Sequence, residues 1–331
     1  MVGKSEKIWD LIICGGGPSG LTAGMYAGRN NMDVLVIDHG PMGGALHITD
    51  RIANYLGFPD GISGFELASI FEKHMRIYIP EDNIIAEHIE ELTIDKDDDS
   101  IKIVRTESDT YRGHCVIIGT GSTPKPIPLQ GSERWLGRGL SYCAICDGAF
   151  YNNKPVAVVG GGNAAVEEAM FLTRFATQVT IIHRRNELRA TPIVQEEAFA
   201  NPKMKFQWDS IVVGIHGESF INKVEVENVK NGQRSLIDAN GLFVYIGSYP
   251  NTEYVKIEGL KKDEFGYLYT DENMCVGYPG VYATGDVRAF PLRQISISSG
   301  NGAVAALMAE RYLVELKHEK RYRGSCPCSQ P

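Results

Sequence analysis

Cys143 and Cys146 stand at C-x-x-C spacing with Asp147 directly after them, in the stretch Ser141-Tyr142-Cys143-Ala144-Ile145-Cys146-Asp147-Gly148. Two cysteines so placed can close a small disulfide ring or cycle as a dithiol, and a neighbouring carboxyl can supply or take the proton that thiol exchange requires. The same spacing is half of a structural zinc site, which needs about four ligands. No second C-x-x-C or H-x-x-x-H completes one, so no metal is expected. Cys326-Pro327-Cys328 is the other pair spaced for chemistry, in a polar tail; a ring closed across one proline would be strained and easily reduced. Cys14 and Cys115 fall inside apolar runs, where a small buried hydrophobe is the simpler reading.

Position strengthens the redox reading, because nucleotide-binding patterns stand on both sides of this stretch. Residues 9–14 are an apolar run ending in Gly15-Gly16-Gly17-Pro18-Ser19-Gly20; a helical stretch follows, then a second apolar run, residues 34–37, closed by Asp38. Gly15, Gly17 and Gly20 fill G-x-G-x-x-G: a tight turn, close backbone approach to a pyrophosphate, and close helix packing. Asp38 lies about 20 residues on, where a carboxylate takes a ribose hydroxyl. The pattern recurs at residues 156–165, with Gly160, Gly162 and Ala165 in the three positions and Asn163 and Ala164 between them. A helix through residue 175 and a strand at 179–182 should follow. That strand ends not in an acid but in His183-Arg184-Arg185, with Arg189 expected one helical turn on. Charge runs usually mark solvated faces, but guanidinium forks at this place suit a 2'-phosphate, so the residues favour NADPH over NADH.

Further elements must close the framework. After Asp38 comes a loop with Gly43-Gly44, then Asn54, a helix over residues 64–78, and alternating strand-like segments between 90 and 111. An apolar run at 115–118 leads into Gly119-Thr120-Gly121, and Pro124, Pro126 and Pro128 should end regular structure in a linker. A second linker is expected near Gly247. Near the end, Gly285-Asp286 follows a strand and precedes Arg293, Gln294 and a small-residue helix from Ile295 to about Leu316, whose amino terminus could face an electron-rich ring.

At 331 residues the chain can build two cores. A net charge of -8 argues against nucleic acid or an anionic membrane surface as partner. Residues 1–10 lack the apolar core of a secretory signal, and no apolar run approaches the roughly 20 residues of a membrane span. Seven cysteines, an odd number, do not make a secreted disulfide framework, and a cytoplasmic address is the expectation.

Together these motifs resemble the low-molecular-weight thioredoxin reductases. The likeness is carried by G-x-G-x-x-G at 15–20, C-A-x-C-D-G at 143–148, G-G-G-N-x-A-V-E-E-A at 160–169, H-R-R-x-x-x-R-A at 183–190, and A-T-G-D-V at 283–287 with Arg293-Gln294. It implies an α/β fold of two Rossmann-like three-layer nucleotide-binding domains. The NADPH domain, residues 121–245 with the C-x-x-C, would be inserted into a discontinuous FAD domain of residues 1–120 and 246–331. The resemblance implies that Gly15, Gly17, Pro18, Ser19, Gly20, Asp38, Gly43, Gly44, Leu46, Asn54, Gly121, Gly285, Asp286, Arg293, Gln294 and Ile295 line FAD. Gly160, Gly162, Asn163, Ala164, His183, Arg184, Arg185 and Arg189 would hold NADPH. Cys146 would face the flavin, Cys143 would attack a thioredoxin-like protein disulfide, Asp147 would donate the proton, and the enzyme would be a homodimer whose inserted domain rotates about the linkers. Three positions depart from the usual pattern: Ala45 replaces a frequent glutamine, Ala149-Phe150 replaces an aromatic pair, and Cys326-Pro327-Cys328 lies beyond it. The competing readings are a flavin-dependent dithiol oxidase, a ferredoxin-fed disulfide reductase, and a redox sensor without turnover.

Overall fold

Alternation along two buried strands decides the layering. In the first, β1 (Ile8–Cys14), Leu11 and Ile13 point into one apolar cluster while Ile12 and Cys14 point into another, and all four are fully buried. A strand covered on both faces reads as a continuous apolar run, as this one does. The computed structural model describes residues 7–49 and 51–325, and the Cys326–Cys328 pair lies outside them. Pro124–Ser248 form one compact unit, and the chain before and after that segment forms the other.

The first unit opens with β1, α1 (Pro18–Arg29) and β2 (Val34–Ile37). The short pair β3 (Arg51–Ile52) and β4 (Ile62–Ser63) precedes α2 (Gly64–Arg76), capped by Ser63 Oγ accepting the Glu66 N–H at 3.1 Å. Then come β5 (Ile84–Ile85), β6 (Ile89–Ile94), β7 (Lys102–Thr106) and β8 (Thr110–Ile118). The sheet order is β5-β2-β1-β8-β7-β6, parallel from β5 to β8 and antiparallel through β7 and β6. One face packs on α1 and the carboxy-terminal helix, the other on apolar residues that include Tyr254, Val255 and Leu268.

The chain leaves through β9 (Ser122–Pro124) and builds β10 (Leu140–Ser141), α3 (Ala144–Asp147), β11 (Pro155–Val159), α4 (Asn163–Leu172), β12 (Gln178–Ile182), α5 (Pro192–Ala200) and β13 (Met204–Gln207). An antiparallel meander, β14 (Ser210–Gly217), β15 (Ile221–Asn228) and β16 (Arg234–Asp238), precedes β17 (Gly241–Val244). The parallel sheet runs β10-β17-β11-β12-β13. Here too alternation sets the layers: Val156 and Val158 face α4, whereas Ala157 faces the cluster of Ile215, Ile221, Val224 and Val226 on the meander. The chain returns through β18 (Ser248–Pro250), which pairs with β9, and ends with β19 (Val281–Ala283) beside β8 and α6 (Ile295–Ser325).

The structure corrects three local expectations. Pro124 does not abolish regular structure: it is the last residue of β9, where a missing N–H is tolerated. Arg189 is not a helical turn beyond Arg185, because 184–191 are irregular; the Arg189 and Ala190 N–H groups both donate to Gly161 O, at 2.6 and 3.1 Å. The last helix does not stop near Leu316 but runs to Ser325, through residues 317–323, which contain neither proline nor glycine.

Candidate active site

In the first unit, the glycine turn lies between the end of β1 and the start of α1. A Cβ on Gly20 would stand 1.9 Å from Gly15 O, so no side chain fits there; on Gly17 it would meet nothing within 4 Å. That open space faces a helix amino terminus without a side-chain cap, an arrangement suited to phosphate. Pro18 begins the helix, and Ser19 is buried behind it. Asp38 braces the turn: Oδ2 accepts the Gly16 N–H at 2.5 Å and Oδ1 the Gly40 N–H at 3.1 Å. Gly43 N–H donates to Gly16 O at 2.7 Å, and a Cβ on Gly44 would stand 3.2 Å from Gly17 Cα. The Leu46 side chain instead joins a small core with Leu67 and Ala68.

Residues from the end of the chain complete this region. Asn54 Nδ2 donates to Gln294 Oε1 at 3.0 Å across 240 residues of sequence. Gly285 and Asp286 follow β19; burial raises the Asp286 pKa, and the Arg293 charge opposes the rise. The Arg293 guanidinium stacks 4.4 Å from the centre of the Tyr267 ring. Ile295 opens α6 and packs against the Leu46 core. Thr284 Oγ1 and Ser299 Oγ are buried with no hydrogen-bond partner among the described residues, which leaves two hydroxyls free to bond a ligand or a water. Gly121 lies apart from these groups in sequence, its carbonyl accepting the Asn251 N–H at 2.9 Å. Thr284 stands inside the A-T-G-D run, and no motif points to Ser299 or Tyr267.

The second unit repeats the turn with different chemistry. A Cβ on Gly162 would meet nothing within 4 Å, while one on Gly160 would strike Tyr245 O at 2.5 Å. Asn163 Oδ1 accepts the Thr191 N–H at 2.7 Å, tying the arginine loop to the start of α4, and Ala164 is exposed. The His183 ring is buried against Gly161, and its Nε2 has no hydrogen-bond partner among the described residues. Burial, then the charges of Arg189, Arg185 and Arg184, hold its pKa below the ordinary value. All three arginines are exposed, and among the described residues none has an ion-pair partner.

The redox turn belongs to the same unit. Cys143 and Cys146 are joined by a disulfide with their Cα atoms 5.4 Å apart. Cys143 is the amino-terminal cap of α3, its Sγ accepting the Cys146 N–H at 3.1 Å, and its own N–H donates to Ser141 Oγ at 3.1 Å. Asp147 N–H donates to Cys143 O at 3.3 Å. Cys146 is exposed and Cys143 half-buried, so the pair is open to exchange. Ala144 N–H donates to the Tyr245 hydroxyl at 2.9 Å, a contact that no sequence motif signalled. Among the described residues no group of three or more His, Cys, Asp or Glu is placed to hold a metal, and no helix is long and apolar enough to cross a membrane.

Two glycine-turn nucleotide folds and an open C-x-x-C disulfide define a dinucleotide-using disulfide oxidoreductase. The sequence matches the pyridine nucleotide-disulphide oxidoreductase family over residues 9–306, and the chain belongs to that family. It is 42% identical over 311 residues to a Clostridium pasteurianum protein described as a 34.2 kDa protein in the rubredoxin operon, covering 94% of this chain and 99% of the other. To the thioredoxin reductase of Listeria innocua it is 40% identical over 315 residues, covering 95% and 97%. The crystal structure of Lactococcus lactis thioredoxin reductase in the FR conformation superposes with a TM-score of 0.88 at 38% identity, covering 93% and 99%.

Proposed function

We propose that this chain is an NADPH-dependent thioredoxin-disulfide reductase that uses FAD. The observation that carries the reading is the closed Cys143–Cys146 disulfide standing in the same unit as three exposed, unpaired arginines at the end of β12. The three guanidinium groups have no ion-pair partner among the described residues, and such a set matches a 2'-phosphate. In this reading Pro124–Ser248 bind NADPH and the other unit binds FAD. The open face of Gly17, the Asp38 carboxylate, the Asn54–Gln294 amide pair and the unpartnered Thr284 and Ser299 hydroxyls fit a flavin dinucleotide. Gly162, the unpartnered His183 Nε2 and Arg184, Arg185 and Arg189 fit NADPH. Bound FAD supplies two-electron chemistry that connects a hydride donor to a disulfide.

The residues of the chain account for the rest. The Cys143–Cys146 bond takes up two electrons and two protons to become a dithiol, and in this reading Asp147, next to Cys146 in the sequence, hands over or receives a proton. Cys143 thiolate, stabilised by the Cys146 N–H that its Sγ already accepts, attacks the thioredoxin disulfide and forms a mixed disulfide while one partner sulfur leaves. Cys146 then attacks Cys143 Sγ, which re-forms the internal disulfide and releases reduced thioredoxin. A homodimer and a cytoplasmic setting belong to the same reading. Trapping tests the order of the thiols: Cys146→Ser, reduced and mixed with thioredoxin disulfide, should accumulate a covalent complex through Cys143, and Cys143→Ser should not. A complex formed by Cys143→Ser alone would reverse the roles.

A further inference from the structure

The redox turn and the glycine loop of the second unit meet at a residue that neither motif contains. Tyr245 follows β17; its main-chain N–H donates to Val159 O at 2.8 Å, and its carbonyl oxygen lies 2.5 Å from where a Cβ on Gly160 would stand. Its hydroxyl accepts the Ala144 N–H at 2.9 Å. Ala144 is fully buried, so this N–H has no water to turn to. Burial first and the Glu168 carboxylate next push the hydroxyl pKa well up, so the group stays a neutral phenol.

We propose that Tyr245 is a positioning residue that sets the reduction potential of the Cys143–Cys146 disulfide, an inference that rests on reading this pair as the redox centre. By holding the Ala144 N–H, the hydroxyl fixes the first residue of α3, the link between the two cysteines. The two sulfurs are thereby kept at closing distance, which raises the effective concentration of one thiol for the other and favours the disulfide. Without the hydroxyl, a buried N–H loses its acceptor, the turn relaxes, and that N–H becomes free to stabilise a thiolate. Both effects favour the dithiol. Tyr245→Phe keeps the ring and its packing, so the loss is confined to the hydroxyl.

The test uses the FAD-loaded, full-length enzyme and its Tyr245→Phe variant, equilibrated in dithiothreitol buffers of graded reduced-to-oxidised ratio. After acid quenching, alkylation and mass analysis give the fraction of Cys143 and Cys146 present as thiols. The variant should reach its midpoint at a ratio about three- to tenfold lower than the wild type, a positive shift of ~15–30 mV. An unchanged midpoint, or a shift the other way, overturns the proposal. Loss of thermal stability without a midpoint shift is what a merely structural tyrosine would give, and it also overturns it. A wild-type pair that never titrates would remove the redox reading itself, and the proposal with it.

Discussion

At the residue scale, function turns on a few charges and their surroundings. Arg184 and Arg185 are exposed beside a buried histidine whose pKa they help to depress. Replacing both by alanine removes charge-assisted hydrogen bonds worth about 1.5–3 kcal/mol each, so kcat/KM for NADPH should fall roughly 10²- to 10⁴-fold while that for NADH changes little. An unchanged NADPH-to-NADH ratio would contradict the assignment. Lys102 poses a different question. It is fully buried, its Nζ donating to Ser100 O at 3.3 Å and lying 5.7 and 5.2 Å from the Tyr278 and Tyr312 ring centres. Burial pulls its pKa down to about 8 from 10.5, against the pull of Cys115, Asp99 and Asp98. Across that window the unfolded chain binds the extra proton, so this group makes stability rise with pH. Lys102→Met lacks the term. The stability of the variant relative to the wild type should therefore fall as pH rises from 8 to 10.5, by about 3 kcal/mol over the window. Denaturant melts at a series of pH values check it, and a flat difference would contradict it.

At the element scale, the two glycines of one turn separate folding from binding. Gly20→Ala would drive a Cβ into Gly15 O, 1.9 Å away, and should destabilise the β1–α1 unit even without cofactor. Gly17→Ala meets nothing within 4 Å, so the protein should melt normally when stripped of flavin yet retain little flavin after purification. Equal flavin content in Gly17→Ala and wild type would show that this turn is not where the dinucleotide lies. Elements of this kind were legible in the sequence, because a strand, a glycine turn and a helix are local and their residues adjoin. The Asn54–Gln294 bond, 240 residues apart, could not be found from spacing, and neither could the Tyr245 hydroxyl under Ala144. The spacing from Arg185 to Arg189 suggests a helical turn, but the bond that shapes the loop, Arg189 N–H to Gly161 O, runs between segments that the sequence shows only separately. The β14–β16 meander, with polar residues on its outer face, gave no motif and supplies one whole layer of the second unit.

For the whole molecule, the order of parts follows from two passages of the chain. The segment Pro124–Ser248 carries the redox turn and the arginine loop, and the surrounding unit carries the other glycine turn and the polar groups near Thr284. Asn251 fastens the passage on the first unit's side: its N–H donates to Gly121 O at 2.9 Å, its Nδ2 to Thr120 O at 2.9 Å, and its Oδ1 accepts from Thr123 Oγ1 at 2.7 Å. Under the proposed assignment, electrons that start on a nicotinamide and end on Cys143–Cys146 begin and finish within one segment, with the flavin as the step between. The most direct test is an anaerobic titration of the FAD-loaded protein with NADPH, reading flavin absorbance and alkylatable thiols on the same samples. The account predicts that flavin absorbance bleaches rapidly and that Cys143 and Cys146, closed as a disulfide at the outset, appear as a pair of thiols as NADPH is consumed; bleaching by NADH with equal efficiency, or consumption of NADPH with the disulfide left intact, would contradict it.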